Sequence, residues 1–381
     1  MSMSKIPFLR PNPGMLSLAV EELRRIESAG IFSNFGPVNT NLEHELERAI
    51  FGGIGECITV CNATTGLMIA MKRHCTDGAG TRRFALMPSF TFAATAHAAL
   101  WAGLTPLLCD IDMETWTSSM VAERELLDQF DGEIAVLIPC TTFGNAIDLA
   151  YYEQLSEEYG VPVVVDAAAA LGTLWEDGRA FGRGCRSPIV FSMHATKAFA
   201  TAEAGVIYCA DHELSEELRS MTNFGFHESR VTLMPGLNGK LNEIIALMAL
   251  LKLPALETAI EHRAAIAQLY QHELPELTFQ RLVGLRQSFT FVSALLPPGA
   301  GASRPELLQQ LAHEGIELRT YFSPHLAEHP YFRKVSTWGA LPNTEDVARR
   351  VVSLPLSDFI TDEEVEFVAQ SLRRTLKCLA A

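Results

Sequence analysis

A lysine that follows an apolar run, with few other charges around it, is the residue of this sequence best suited to covalent chemistry. Lys197 closes the stretch Ser192-Met-His-Ala-Thr-Lys, directly after PIVF. An ammonium beside apolar walls loses hydration and its pKa falls, so the neutral amine becomes available as nucleophile or general base. A surface lysine on a loop is the plainer reading of any single Lys. Ser192, His194 and Thr196 beside it weigh against that reading. Asp166 poses the complementary problem, because it ends the apolar run VPVVV. A carboxylate there is costly without a cationic partner. A protonated pyridine nitrogen is such a partner, and the pair keeps the ring electron-poor enough to stabilise a carbanion. The alternative is an N-cap of a following helix, a position Asp favours, and the residue alone leaves the two readings even.

Two weaker signals accompany them. Asn62-Ala-Thr-Thr-Gly66 precedes an amphipathic stretch, and backbone N–H groups, Thr hydroxyls and a helix dipole together suit a phosphate. Capping by Thr64 alone is the bland alternative. Gly66 permits close backbone approach. Phe92, in Pro-Ser-Phe-Thr-Phe, is an aromatic that could stack on a flat ring, with a core phenylalanine as the commoner explanation.

These residues need a frame that brings them together. CITVC, FALMPS, TPLLCDID, IAVLIPC, VPVVVDA and PIVFSM read as strands buried on both faces. Helices are expected between them over 65–74, 93–102, 123–130 and 149–159. Such alternation implies an α/β three-layer sandwich around a mainly parallel sheet. A long helical region over 241–274 follows, then SFTFVSALL, GIELRTYF and helices over 304–314 and 361–376, read as a smaller α+β lobe. The expected boundary gives a large domain over 1–250, N-terminal segment included, and a small one over 251–381. In open α/β sheets ligands gather beyond the carboxyl ends of the strands, and that is where 62–66, 89–92, 141–145, Asp166 and 192–197 fall.

The chain has 381 residues, 48% hydrophobic and 20% charged, with a net charge of −15. That composition is globular, and the acidity argues against nucleic acid. No run approaches the ~20 apolar residues that span a bilayer, and 1–14 has no apolar signal core. The eight cysteines form no C-x-x-C pair, which argues against a zinc site or disulfide framework and for a cytoplasmic protein. No G-x-G-x-x-G opens a helix after the first strand, so a dinucleotide-dependent oxidoreductase is a poor fit; Gly52-Gly53-Ile-Gly55 precedes that strand and reads as a turn.

NATTGL, PSFTFAATAHAALWAGLTPLLCDID, TFGNAIDL, VVVDAAAALG, FSMHATKAFATAEAG and GLNGKLNE together resemble the DegT/StrS family of nucleotide-sugar aminotransferases, pyridoxal-phosphate (PLP) enzymes of fold type I. The similarity runs from about 33 to about 330. It implies a Schiff base at Lys197, an Asp166 bond to the pyridinium, Phe92 stacked on the ring, and a phosphate held by Ala63, Thr64 and Ser192. It implies a homodimer with shared sites, Asn238 and Lys240 reaching the partner's cofactor phosphate, and Phe35 and His325 on the sugar side. The implied reaction moves an amine from L-glutamate to a nucleotide-linked keto sugar, most readily C4 of a dTDP-4-keto-6-deoxyhexose. Relatives with His in place of the lysine are sugar dehydratases; Lys197 favours transamination over that alternative and over a non-catalytic binding protein. Two positions depart from the pattern. Ala169 stands where Gln or His is usual near the ring hydroxyl, and Ala202 and Ala204 flank Glu203 where glycines are usual.

Overall fold

A computed structural model describes residues 5–75, 82–227 and 230–380. Among the described residues eight strands build the main sheet: β1 (Glu56–Val60), β2 (Phe84–Pro88), β3 (Thr105–Cys109), β4 (Ile134–Leu137), β5 (Val165–Asp166), β6 (Ile189–Ser192), β7 (Gly205–Cys209) and a late two-residue strand, Thr337–Trp338, parallel to β3 at its outer edge. The first seven run in two ladders, β3-β2-β4 and β5-β6-β7-β1. Parallel bridges Leu137–Val163 and Cys140–Asp166 join these edge to edge. β7 is antiparallel to both neighbours, and the other pairings are parallel. The sandwich is therefore α/β with a mainly parallel sheet, as expected.

Most strand residues are buried on both faces, which explains their continuous apolar runs. Helices cover both sides. The helix Ala63–His74 packs closely because Gly66 faces β6 and β7; a Cβ there would lie 2.9 Å from Val190. Gly66 thus serves helix–sheet packing. Gly205, the first residue of β7, lies against the start of the same helix, where a Cβ would meet the Ala63 backbone nitrogen at 2.7 Å.

β7 is absent from the sequence reading, whose last strand in this region is PIVFSM. The long helical region divides into Glu243–Lys252 and Leu256–Glu273 around a short 3-10 turn, Leu253–Ala255, because Pro254 removes a helix donor. The C-terminal part holds a three-stranded sheet of Thr278–Phe279, Val292–Leu295 and Val351–Leu354. GIELRTYF forms no strand there and pairs only by bridges at Ile316 and Arg319. The expected boundary put the N-terminal segment with the large domain. Residues 6–10 of that segment hydrogen-bond to late elements, Ile6 N–H to Gly315 at 2.8 Å, Leu356 N–H to Phe8 at 3.1 Å, and Arg10 to Glu364 at 2.6 Å, while Ala19 and Ile26 pack on Leu247 of the helix Glu243–Lys252. Near them Asp358 accepts from Asn12, Lys252 and Arg263 at 2.9, 2.8 and 2.7 Å.

Glu123 is buried behind β3, with the Tyr152 hydroxyl 3.1 Å from both carboxylate oxygens. Desolvation dominates that hydrogen bond and pushes its pKa up to about 8. Folding therefore takes up a proton between the ordinary carboxylate pKa and 8. The associated stability is complete below that ordinary value, declines as pH rises towards 8, and is lost above it. Glu123→Gln, which does not titrate, is expected to melt with the wild type at pH 4.5. Its advantage grows to roughly 3–6 °C by pH 8.5, read from thermal unfolding across that range.

Candidate active site

The loop between β6 and β7 carries Lys197. Antiparallel strands hold both its ends, and the ladder continues beyond the sheet: Thr201 N–H to Met193 at 2.8 Å, Met193 N–H to Ala204 at 2.9 Å, Ala195 N–H to Ala202 at 3.2 Å. A turn follows, closed by Lys197 N–H to His194 at 2.9 Å. Neither Ala202 nor Ala204 takes a left-handed φ, so alanine in place of glycine meets no backbone penalty. Lys197 retains some exposure, and it lines a partly open cavity. Desolvation lowers its pKa to about 8, against a smaller upward pull from Asp166.

Asp166 ends β5, whose neighbour β6 leads into the lysine loop. No helix follows it, which removes the N-cap reading. One carboxylate oxygen accepts from Thr95 O–H at 2.6 Å and the other from Ala168 N–H at 3.1 Å. Burial raises its pKa, with those hydrogen bonds and Lys197 pulling the other way. Neither donor is a cation. Among the described residues no ammonium or guanidinium is in ion-pair contact with this carboxylate, which is 7% exposed. Such a group retains a strong demand for positive charge.

The helix Ala63–His74 points its N-terminus at the same cavity. Asn62 caps it, accepting from Thr65 N–H at 2.8 Å, so Thr64 is relieved of the capping role considered for it. The first N–H groups of a helix lack intrahelical partners, and here they belong to Ala63 and Thr64. The Ser192 oxygen accepts from His194 N–H at 3.2 Å, leaving the hydroxyl proton for another acceptor. Phe92 is 58% exposed and lines the cavity, whereas Phe90 is the buried core ring.

The cavity measures about 420 Å³ and brings together Lys197, Asp166, Ala63, Thr64, Ser192 and Phe92. Leu9, Phe143, Phe291, Tyr321 and Phe322 line it too; the sequence places 141–145 at this edge and the resemblance places the His325 segment by the sugar, but Leu9 and Phe291 carry no signal for it. The sequence reading also missed Thr95, whose position one helical turn after Phe92 carries no signal of its own. His194 and Glu203 face the cavity as well, 3.4 Å apart.

Four expected residues lie outside this lining. Asn238 is exposed. Lys240 donates to Asn223 at 2.7 Å and sits 5.0 Å from the Phe224 ring. Phe35 lies under the Arg219 guanidinium at 5.8 Å. His325 is buried and shares a 2.8 Å hydrogen bond with Ser89, while its chain neighbours Tyr321 and Phe322 do face the cavity. The Ala169 methyl lines the cavity, and its carbonyl accepts from Ser288 O–H at 2.5 Å.

The donor set fits a flat, cationic heterocycle bearing a phosphate: a carboxylate with no ion-pair contact among the described residues, an amine beside it, free helix-start N–H groups and an exposed aromatic face. The sequence profile of the DegT/DnrJ/EryC1/StrS aminotransferases matches residues 16–373. Rv3402c of Mycobacterium tuberculosis (strain ATCC 25618 / H37Rv) is 34% identical over 97% of this chain and 90% of its own length. A dTDP-4-amino-4,6-dideoxy-D-glucose transaminase of Shigella dysenteriae is 28% identical over 96% and 97%. A crystal structure from Bacillus cereus ATCC 10987, assigned to the PLP-dependent aminotransferases, is 33% identical with a TM-score of 0.91, covering 97% of this chain and all of that one.

Proposed function

The chain belongs to the DegT/DnrJ/EryC1/StrS aminotransferase family and is a PLP-dependent transaminase, and from that premise we propose that it transfers the amine of L-glutamate to C4 of a dTDP-linked 4-keto-6-deoxyhexose. The observation that carries the reading is a desolvated lysine sharing one cavity with a buried carboxylate that makes no ion-pair contact among the described residues. The Shigella relative, which acts on a dTDP-linked 4-amino sugar, supports the acceptor.

Lys197 is the proposed attachment point and proton carrier. With a pKa near 8, both its forms are populated near neutrality, as an alternating acid and base requires. Asp166 would hold the ring nitrogen in its charged form; Ala63 and Thr64 N–H groups, the Thr64 hydroxyl and Ser192 would hold the phosphate, and Phe92 would cover the ring. When bound, PLP supplies the electron sink for the carbon that loses its proton. Phe143, Phe291 and Phe322 exclude water from that side.

A homodimer is part of the proposal. Phe224, Val231 and Leu233, in the segment that leads to Asn238, are large apolar side chains left 43–66% exposed, and a partner subunit would cover them. Asn238 and Lys240 would serve the partner's phosphate. Among the described residues no helix is long and apolar enough to cross a membrane, and all eight cysteines are free, consistent with a reducing cytoplasm.

The test is purified protein incubated with PLP, L-glutamate and a panel of thymidine-, uridine- and guanosine-linked keto sugars, with products weighed by mass spectrometry. The expected product is the amino sugar, with thymidine preferred. A deoxygenated keto sugar would replace this reading with a dehydratase, and no product from any of the sugars would refute it.

A further inference from the structure

The lining of the cavity falls into two groups that differ in chemistry. One, built from strand ends, carries Asn62, Thr64, Asp166, Ser192, His194 and Lys197. Leu9, Phe143, Phe291, Tyr321 and Phe322 line the cavity as well and form a second, mostly apolar group, with Phe143 stacked on Phe322 at 5.1 Å and Phe291 on Tyr321 at 4.9 Å. The polar side chains there are the Tyr321 phenol and Thr141 and Thr142 beside Phe143. The residues proposed to hold the cofactor's ring nitrogen and phosphate all belong to the first group. The second is left for the molecule that receives the amine.

Leu9 reaches the cavity from an unusual source. Residues 6–10 form a strap laid along the C-terminal elements. Phe8 is fixed through its N–H to Glu317 at 3.2 Å and through its carbonyl to Leu356 N–H at 3.1 Å. Its ring stacks on Phe291 with centroids 5.4 Å apart. Arg10, on the other side of Leu9, is held by Glu364. The chain bends at Phe8, whose ring is buried at 3% exposure, and the half-buried Leu9 that follows packs beside the Phe143 and Phe291 cluster with one side on the cavity. No step assigned above uses Leu9.

We propose that Leu9 is a specificity-determining residue for the amine acceptor, packing with Phe291 and Phe322 against a deoxygenated, carbon-rich face of the sugar. A methyl group at the ring's exocyclic carbon is favoured there over a hydroxymethyl group, because a hydroxyl facing leucine and phenylalanine loses its hydrogen bonds to water and finds none in return. This inference rests on the keto-sugar reading above.

The experiment measures the two half-reactions separately on PLP-loaded protein. Cofactor absorbance in single turnovers reads amine loading from L-glutamate; product formation reads amine delivery to keto sugars carrying either a methyl or a hydroxymethyl group. Leu9→Asn, close in size and polar, is expected to raise KM for the methyl sugar roughly tenfold. It should narrow the preference for methyl over hydroxymethyl and leave glutamate loading within about twofold of wild type. Leu9→Met, which keeps volume and polarity, is expected to restore both KM and preference. Thermal unfolding of each variant reports whether the strap remains seated. An unchanged methyl preference in Leu9→Asn overturns the proposal, as does an equal loss in both half-reactions, which would make Leu9 merely structural. Wild-type protein that aminates no keto sugar refutes the acceptor reading itself, and this inference with it. That outcome is visible before any variant is made.

Discussion

Lys197→Ala is expected to lower amine transfer by roughly 10⁴-fold or more while leaving the melting temperature of the protein within a few degrees of wild type. The size follows from two duties on one nitrogen, covalent attachment and proton transfer, with no substitute nearby. The other titratable groups facing the cavity are Asp166, whose carboxylate is committed to Thr95 and Ala168, His194 with Glu203, which face one another, and the Cys140 thiol and Tyr321 phenol; none is an amine that could carry the cofactor. Stability should survive because among the described residues the Lys197 side chain has no hydrogen-bond or ion-pair partner, and its loop is held by the backbone of residues 193, 195, 201, 202 and 204. Removing a desolvated ammonium costs the fold little. Two measurements decide the matter. Borohydride reduction of the loaded protein, followed by peptide mass spectrometry, should place the cofactor on Lys197 in wild type and nowhere in the variant. A steady-state assay should give near-background turnover. Full activity in Lys197→Ala, or a label on another lysine, contradicts the assignment.

Asp166→Asn is expected to lower kcat/KM by about 10²–10³-fold, with a weaker hold on PLP. Asparagine keeps the shape, and its carbonyl can accept from either Thr95 or Ala168, so what is removed is chiefly negative charge. That charge has two dependants. One is the ring nitrogen, whose protonated form an amide stabilises far less than a carboxylate. The other is Lys197, whose pKa Asp166 pulls upward against desolvation. Without the carboxylate, burial acts unopposed and the Lys197 pKa falls below its present value of about 8. The cofactor-free variant should therefore react with an amine-directed acylating reagent at Lys197 at lower pH than wild type. That readout separates charge from packing, because a purely structural role for Asp166 would leave the titration in place. Equal reactivity profiles in the two proteins would exclude the electrostatic role.

Asp166 and Lys197 were legible in the sequence because each sets a charge at the end of an apolar run, where burial makes a charge expensive and a reason for it necessary. The strand ends around them were legible too, since a run buried on both faces has to stop where the ligand edge begins. Three features were not. β7 has a short apolar stretch, GVIYC, but it enters by a loop instead of a helix, and strand–helix alternation hides a reversed strand. The apolar group of the cavity is completed by Leu9 and Phe291, side chains that sequence cannot distinguish from core. Thr95 looks like any small residue of an alanine-rich helix until Asp166 is placed beside it. Residues whose expected role depended on a second subunit, Asn238 and Lys240, lie outside the cavity of their own chain, as does His325, whose ring the fold draws inward to Ser89.

The strap at residues 6–10 has a consequence for how the protein is made. Its hydrogen-bond partners lie as much as 354 positions later in the chain. At ribosomal rates of 5–20 residues per second, the strap waits about 18–70 s for the surface it must lie on. Leu9 and Phe8 stay uncovered throughout that interval, open to chaperones and to mispairing. A nascent chain stalled before residue 315 would already hold the lysine loop and β5, yet its reaction chamber would stand open to water.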